Sequence, residues 1–276
     1  MQILLTVAYD GTAYAGWQRQ QNAIAVQQRL EEALSALLNR PIVVNAASRT
    51  DAGVHALGQR AAFFADDLRV PLGKLPQVIN GFLPPDISVT AAEAVTDGFN
   101  PRFDAVYKTY SYNTYCSQTP NPLLRRYSAY IPRALDIDAM KKAASMFTGR
   151  HDFAAFMATG GSAKTTIREI YACDVKKLQS HFHSNHDTMH GVHQGCCESA
   201  DLICLTITGN GFLYNMVRII AGTVLYVGLG KMLPEDILEI IQSCDRTKAG
   251  KTMPPEGLTL LKVGYSSKFD TQPNNM

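Results

Sequence analysis

The chain has 276 residues, enough for one large domain or two ordinary ones, and 46% of them are hydrophobic while 18% are charged. These proportions are typical of a folded globular protein and exclude an intrinsically disordered chain. The net charge of +2 and the pI of about 8.2 neither require nor exclude a nucleic-acid partner, because acids elsewhere can offset a local basic face.

The cysteines and the apolar runs argue against two further classes, disulfide-stabilised secreted proteins and membrane proteins. None of the six cysteines belongs to a C-x-x-C pair, and no signal peptide precedes the first predicted strand. We therefore expect reduced thiols and a cytoplasmic protein. The longest apolar run, Phe212–Leu229, is interrupted by Asn215, Arg218 and several glycines, so no membrane span is predicted.

The N-terminal elements are a strand, a glycine-rich loop and a helix. Gln2–Tyr9 is polar at its start and then apolar, which predicts a strand. The loop Asp10–Gln20 contains the only tryptophan. Its aromatic and amide side chains suit stacking on bases or gripping an RNA backbone, although a plain connection is the simpler alternative. Val26–Leu38 has an apolar helical face and stops before Pro41, which predicts a helix.

The stretch Ala47–His55 organises the rest of the chain. It lies between two apolar runs that we predict to be strands, Ile42–Ala46 and Ala61–Ala65. A carboxylate on such a connection is held between rigid elements, where a sheet can present a reactive group to a cleft. Arg49 and Asp51 are two residues apart, so in extended backbone their side chains project from the same face.

The order of the elements predicts the fold class. A helix over Leu72–Gly81 and a strand over Ile87–Val95 complete the order β-α-β-β-α-β. That order is typical of a ferredoxin-like sandwich, in which helices cover one face of a mostly antiparallel sheet. The turn-rich segment Asp97–Asp104 is the predicted crossing point between two halves, residues 1–104 and 105–276, the second of which shows a similar alternation. We therefore predict an α+β protein.

The second half opens with a tyrosine-rich strand over Ala105–Tyr115, in which Tyr110 and Tyr112 share one face. The almost wholly apolar segment Phe212–Val227 predicts a buried helix, in which Arg218 is an anomaly. The other predicted elements are helices over Asp138–Phe147 and Pro234–Ser243, strands over Thr165–Leu178, Asp201–Thr208 and Gly257–Gly264, and a frayed tail over Ser266–Met276.

The segment Gln179–Ser199 breaks this pattern, because it contains five of the seven histidines and the adjacent pair Cys196 and Cys197. Imidazole and thiolate are good zinc ligands, so a metal site is conceivable. The spacing fits no common zinc finger, however, and adjacent cysteines bind one ion awkwardly. We therefore favour a polar, exposed hairpin extension and predict no metal.

Arg218 leads to a hypothesis about Asp51. An unpaired guanidinium in an apolar helix is very costly, so Arg218 requires a carboxylate, and Asp51 is the candidate partner. That pairing would keep Asp51 ionised and oriented, which is what a nucleophile requires. Glycoside hydrolysis needs two carboxylates, whereas isomerising a nucleoside consumes no water and needs one carboxylate and a proton shuttle. Tyr110 could be that shuttle, and its alternative role is a stacking or packing ring.

A nucleic-acid substrate would need further residues. A base inside paired RNA must be swung out before Asp51 can reach its sugar, and Arg49 is placed to fill the gap and hold phosphates. Scattered basic residues could line a phosphate track, although for each alone a solvated surface charge is the favoured alternative. They are Arg102, Lys108, Arg125, Arg126, Arg150, Lys164, Arg168, Lys248 and Lys251.

Several of these motifs together resemble the tRNA pseudouridine synthase A family, and the likeness covers nearly the whole chain outside Gln179–Ser199 and the tail. One departure is Ser48, where many members of the family have glycine before the arginine. The matching stretches are Tyr9–Gln20, Arg49–His55, Lys108–Tyr110, His151–Phe156, Arg168, Gly209–Gly222 and Pro255–Leu258.

The resemblance implies an isomerase that converts uridine to pseudouridine at positions 38, 39 and 40 of the tRNA anticodon stem-loop. It implies that Asp51 is catalytic, that Tyr110 stacks on the flipped base, that Arg218 pairs with Asp51 and that Arg49 supports the displaced nucleotide. Arg168 is a further candidate for binding substrate. It also implies a homodimer without metal or organic cofactor, with the active cleft between two ferredoxin-like, RRM-like halves related by a pseudo-two-fold axis.

Two other functions stay open at this point. A non-catalytic RNA-binding module would share the predicted sandwich, and replacing Asp51 with Asn would change nothing measurable in it. A nucleoside hydrolase would release free uracil. The Arg49–Asp51 run and the arginine of the apolar helix favour the synthase. Whether Asp51 attacks C1′ of the sugar or C6 of the base, or abstracts a proton to open a glycal route, stays open.

Overall fold

The computed structural model describes residues 1–66, 68–161, 163–178 and 201–266. The predicted extension Gln179–Ser199 and the predicted tail, apart from Ser266, lie outside these residues. The described residues form a mixed α/β structure with ten strands and five α-helices. In chain order these are β1 (Gln2–Tyr9), α1 (Val26–Leu38), β2 (Asn45–Ala46), β3 (His55–Phe64), α2 (Leu75–Asn80), β4 (Ile87–Val95), β5 (Ala105–Cys116), β6 (Ala129–Ile131), α3 (Ile137–Ser145), β7 (Gly149–Asp152), β8 (Ile167–Leu178), β9 (Asp201–Gly209), α4 (Met216–Gly228), α5 (Asp236–Ser243) and β10 (Leu258–Tyr265).

The chain folds into two compact units, and each is made of separate stretches of sequence. The first contains the described residues of Met1–Tyr110, together with Thr208–Gly211 and Thr259–Ser266. The second contains the described residues of Ser111–Ile207 together with Phe212–Leu258. The predicted division of the chain at residues 104 and 105 stays a prediction.

In the first unit, β1 lies between β3 and β4 and is antiparallel to both. On the other side of β3, the C-terminal strand β10 runs parallel to the start of β3, with Thr259 opposite His55 and Leu260 opposite Ala56. β1 is mostly apolar after Gln2 and is buried along most of its length, as the apolar run predicts. The sheet therefore holds the start of β3, where the Arg49–His55 motif ends, between two neighbouring strands.

Three elements of the first unit match their predicted bounds, namely β1, α1 and β4. Their patterns are local, because each strand has its own apolar run and the helix has its own apolar face. α1 buries Val26, Leu30 and Leu34 and ends at Asn39, which adopts the left-handed conformation with φ of 51°. The predicted helix over Leu72–Gly81 forms a short 3-10 turn followed by α2.

The predicted bounds of the two strands that flank the motif are wrong. Of Ile42–Ala46, only Asn45 and Ala46 pair as a strand. The polar backbone groups before them are held by side chains of α1 instead: Ser35 Oγ accepts from Ile42 N, and Glu31 Oε1 accepts from Val44 N, at 2.9 and 3.1 Å. These bonds satisfy backbone groups that a strand would otherwise pair.

The strand predicted over Ala61–Ala65 is also longer than expected, because β3 begins six residues earlier, at His55. Its first residues pair with β10, which lies about 200 residues later in the chain. A local apolar pattern cannot reveal such a partner. As a result, the motif ends directly on a strand and not on a loop.

In the second unit, β8 pairs antiparallel with β7, and β6 pairs parallel with the end of β5. α3 packs on β8 and α4 and begins at Asp136, whose side chain accepts from Ala139 N. The predicted helix over Phe212–Val227 begins four residues late, at Met216, because Asn215 has φ of 59° and cannot continue a helix. The helix itself is almost wholly buried, as predicted.

The observed secondary structure agrees with the predicted α+β class. The finer description, two ferredoxin-like halves, stays a prediction. Among the described residues, no helix is both long enough and apolar enough to cross a bilayer.

Candidate active site

The motif loop, residues 47–54, connects β2 to β3 and is fixed at its first two residues. Gln59 of β3 is fully buried, and its side-chain amide forms hydrogen bonds with both the N–H and the carbonyl of Ser48. Its Nε2 donates to the Ser48 carbonyl at 2.7 Å, and its Oε1 accepts from the Ser48 N–H at 3.2 Å. Lys108 of β5 donates from Nζ to the Ala47 carbonyl at 2.7 Å. The loop is thus held by both β3 and β5.

The middle of the motif loop is anchored at Thr50. The Tyr9 hydroxyl and Thr50 Oγ1 are 2.7 Å apart, and the Trp17 N–H donates to the Thr50 carbonyl at 3.0 Å. Both rings are buried, and their centroids are 5.8 Å apart. Burial raises the pKa of Tyr9 above its ordinary value, with the Thr50 bond opposing that effect. Tyr9 therefore stays a neutral hydrogen-bonding group beside the loop.

The segment after β1 packs directly against the motif loop. Tyr14 O accepts from Gly53 N at 3.3 Å. Gly16 has φ of +90°, and a Cβ atom at this position would lie 2.5 Å from Thr50 O and 3.1 Å from the carbonyl carbon of Asp51. Only glycine allows both that conformation and that approach. The backbone of residues 50–52 therefore rests on the Gly16 backbone.

His55 and Asp10 support the other end of the loop. His55 is 3% exposed, and its Nδ1 accepts from Gly11 N at 3.1 Å. Asp10 Oδ1 lies 3.2 Å from the same nitrogen, and it also accepts from Thr12 N at 3.0 Å. His55 thus joins the end of β1 to the start of β3.

Of the two alternatives for the loop Asp10–Gln20, the burial of its aromatic side chains favours a connection over stacking on bases. Trp17 is 2% exposed and packs beside the buried ring of Tyr9, and Tyr14 is 7% exposed. The Tyr14 hydroxyl donates to Asp86 Oδ1 at 2.7 Å. These aromatic residues instead form the support on which the motif loop rests.

The two charged residues of the motif differ in exposure. Asp51 is half-buried, and its carbonyl accepts from Val54 N at 3.1 Å in a turn. Arg49 is exposed, and among the described residues no hydrogen bond or ion pair involves its guanidinium. A half-buried carboxylate on a fixed backbone can both reach a ligand and keep its direction. The exposed arginine beside it can bind phosphate.

Tyr110 lies beside the motif loop, as its predicted role requires. Its ring is 6% exposed, and its hydroxyl is 2.8 Å from Ser48 Oγ. Burial raises the pKa of Tyr110 to about 12; the Ser48 bond opposes this shift and the negative charge of Asp51 adds to it. The structure thus brings Asp51 and Tyr110 within electrostatic reach of each other in the first unit.

The raised pKa of Tyr110 predicts a pH-dependent contribution to stability. Between about pH 10 and 12 the folded protein keeps this proton and the unfolded chain loses it, so the contribution is full below pH 10 and is lost as pH rises. Tyr110→Phe removes the titration. Between pH 8 and pH 11, we expect the free energy of unfolding of this variant to fall by about 1.4 kcal/mol less than that of the original protein. Urea unfolding at both pH values measures this, and equal falls would contradict the burial of the phenol.

Arg218 lies in the second unit and holds the backbone of a neighbouring segment. Its Nε donates to Met253 O at 2.6 Å, and its own carbonyl accepts from Met253 N at 3.2 Å. Its Nη1 donates to Asn215 Oδ1 at 2.7 Å. Within α4, a Cβ at Gly222 would lie 1.9 Å from Lys251 O, so the segment before Met253 runs tightly along this helix. The predicted pairing of Arg218 with Asp51 stays a prediction.

Arg168 also belongs to the second unit, on β8 opposite His151 of β7. It is half-buried, and its Nη1 donates to the carbonyls of Ile167 and Thr165 at 2.6 and 3.0 Å. Burial lowers the pKa of this guanidinium from its ordinary value. Its predicted contact with substrate stays a prediction.

Sequence reasoning missed several of the supporting residues. Gln59, Tyr9 and Thr50 were not identified, because each acts through a contact with a residue far along the chain. The one available signal was Gly16, since glycines that punctuate a loop often mark a close approach of backbones. No cluster of three or more His, Cys, Asp or Glu side chains that could hold a metal ion lies within residues 1–66, 68–161, 163–178 and 201–266.

This chain matches both a protein family model and individual known proteins. A family model described as tRNA pseudouridine synthase matches residues 5–104 and 143–266. A tRNA pseudouridine synthase A of Ruminiclostridium cellulolyticum is 44% identical over 264 residues, which cover 96% of this chain and 99% of that protein.

Two other relatives carry the same name. The protein from Caldicellulosiruptor bescii is 44% identical over 263 residues, covering 95% of this chain and 99% of its own. The protein from Geotalea uraniireducens is 42% identical over 264 residues, covering 96% and 99%. The similarity therefore extends over nearly the full length of both partners in each comparison.

Proposed function

This chain belongs to the tRNA pseudouridine synthase family, and we propose that it converts uridine to pseudouridine at positions 38, 39 and 40 of the tRNA anticodon stem-loop. It is an enzyme that isomerises uridine in tRNA. The observation that best supports Asp51 as its catalytic group is the motif loop, which holds a half-buried carboxylate and is itself anchored by Gln59, Lys108 and Tyr9. Such preorganisation of a reactive group is what catalysis requires.

The reaction balances without water or a cofactor. The C1′–N1 glycosidic bond breaks, the uracil turns, and a C1′–C5 bond forms, while C5 loses a proton and N1 gains one. We propose that Asp51 starts this sequence, by attack on C1′ or C6 or by taking a proton from the sugar. Tyr110 lies beside it with a neutral phenol, because burial raises its pKa to about 12. We propose that its ring stacks on the flipped base and that its hydroxyl is available to move the proton.

Arg49 is proposed to support the nucleotide that leaves the stack. The side chain is exposed and adjoins the Asp51 loop, where a phosphate of the substrate would pass. Arg49→Ala is expected to weaken binding of unmodified tRNA by about three- to tenfold. It should also reduce the slope of log affinity against log salt by about 0.7–0.9, the value for one lost phosphate contact. Filter binding over a salt series measures both effects.

Arg69 offers a matched control for Arg49. It is also an exposed arginine of the first unit, but it lies in the connection between β3 and α2. We expect Arg69→Ala to change neither the affinity nor the salt slope. Equal effects of the two substitutions would indicate general electrostatic attraction and would contradict the specific role of Arg49.

The remaining features of the proposal follow from the family resemblance. We propose that Arg218 pairs with Asp51 and that Arg168 contacts the RNA backbone; a structure with bound tRNA would decide both. We also propose a cytoplasmic homodimer that needs no metal or organic cofactor. Each protomer would contain two ferredoxin-like halves with the active cleft between them.

One experiment separates this function from its alternatives. Purified protein is incubated with an unmodified tRNA transcript after removal of metals, and pseudouridine is mapped by position. The proposal predicts conversion within the anticodon stem-loop. Binding without conversion would instead favour an RNA-binding module, and release of free uracil would indicate a hydrolase. Conversion confined to another arm of the tRNA would contradict the proposed positions.

A further inference from the structure

The hydroxyl of Ser48, in the motif loop, reaches the hydroxyl of Tyr110. Ser48 Oγ and the Tyr110 hydroxyl oxygen are 2.8 Å apart, a normal distance for two hydroxyl groups. Both residues belong to the first unit, although 62 positions separate them in the sequence. Tyr110 is buried and Ser48 is half-buried, so little water competes for this bond.

The position of the Ser48 hydroxyl is set by its backbone. Gln59 binds both the N–H and the carbonyl of Ser48, and its side chain is 0% exposed. A residue held at both backbone groups has a fixed Cβ, and the bond to Tyr110 then selects the rotamer of its hydroxyl. The same strand that carries Tyr110 also binds the preceding residue, because Lys108 donates to the Ala47 carbonyl. Lys108 and Tyr110 are two positions apart and therefore share one face of β5.

We propose that Ser48 is a positioning residue for the reaction: it fixes Tyr110 relative to the loop that carries Asp51. This inference rests on the proposed roles of Asp51 and Tyr110. A stacked ring needs correct placement above the base, and a proton-moving hydroxyl needs a defined direction. The Ser48 bond supplies both, since it ties the phenol oxygen to a backbone three residues from Asp51.

Ser48→Ala tests the proposal, because it removes the hydroxyl and keeps Cβ. We expect the single-turnover rate of pseudouridine formation to fall by about three- to tenfold, the effect of one net hydrogen bond. The affinity for tRNA should stay within about twofold, since the bond concerns orientation and not attachment. In a Tyr110→Phe background, Ser48→Ala should have no further effect on the rate. A purely structural role would lower the rate equally in both backgrounds and would overturn the proposal.

Ser145→Ala is the matched control. Its hydroxyl bonds the Lys142 carbonyl of its own helix, on the exposed face of α3. We expect it to leave the rate and the affinity unchanged. An unchanged rate in Ser48→Ala would overturn the proposal.

A second readout needs no activity. Protein labelled with ¹³C at the tyrosine ζ carbon gives a Tyr110 resonance, assigned by its absence in Tyr110→Phe. Ser48→Ala is expected to move this resonance and to raise the pH at which it titrates, because the Ser48 bond lowers the pKa of the phenol. An unmoved resonance would show that the bond is not made. If the original protein makes no pseudouridine, the proposed function fails, whereas this resonance still decides whether the bond exists.

Discussion

Asp51→Asn is expected to abolish pseudouridine formation while leaving tRNA binding intact. The amide has nearly the same shape as the carboxylate but cannot act as a nucleophile or base at neutral pH. We expect the single-turnover rate to fall by on the order of 10³-fold or more, as is usual when a reacting group is removed. Because the loop is held through the backbones of Ala47, Ser48 and Thr50, we expect its backbone to keep its position in this variant.

Two further variants sharpen this test. Asp51→Ala guards against slow deamidation of the introduced asparagine, which would restore aspartate and a false residual rate. Asp66→Asn is the matched control, since the side chain of Asp66 is 82% exposed and faces Arg40 at 3.5 Å. We expect Asp66→Asn to retain the full rate. Retention of more than a tenth of the rate in both Asp51 variants would rule out a reacting role for this carboxylate.

Gly16→Ala is the second change for which we expect a large effect. The added methyl would lie 2.5 Å from the Thr50 carbonyl oxygen, and Gly16 has φ of +90°. Overpacking and the left-handed backbone together should lower the free energy of unfolding by about 2–4 kcal/mol. The melting temperature should then fall by roughly 5–15 °C. The backbone of residues 50–52 must also shift, which should slow the reaction by on the order of 10²-fold even where the protein is folded.

Gly73 provides the comparison for Gly16. It lies in the 3-10 turn before α2, has no atom within 4 Å of an added Cβ and has no left-handed φ. Gly73→Ala is expected to leave both the melting temperature and the rate nearly unchanged. Thermal unfolding and single-turnover kinetics at 25 °C measure both variants. A Gly16→Ala protein that matches the original in both would show that the segment after β1 does not support the motif loop.

Sequence patterns predicted the elements that depend on local periodicity. The bounds of β1, α1 and β4 were correct because each element carries its own apolar face. The start of β3 was missed because its partner is the distant strand β10, and the start of β2 was predicted too early because α1 side chains bind the backbone of residues 42–44. Both errors arose from contacts between distant residues, which override local preference.

The candidate site was predicted in part. The residue types of the motif were enough to identify Asp51 and Arg49 as the reactive and phosphate-binding candidates. Their support could not be predicted, since Gln59, Tyr9 and Ser48 act through bonds across 11, 41 and 62 positions. The role of the buried Trp17 stayed open because composition cannot tell an aromatic residue that binds bases from one that packs under a loop.

The pairing of β10 with the start of β3 has a consequence for synthesis on the ribosome. Thr259 and Leu260 complete the sheet at His55 and Ala56, yet they are translated about 150 residues after Tyr110. At ordinary elongation speeds this is a wait of roughly 10–30 s. During that wait the start of β3 is an unpaired strand edge, because β10 has not yet been synthesised. Such an edge can bind a chaperone or pair with the wrong strand. The enzyme is therefore expected to gain activity only after its last strand has left the exit tunnel.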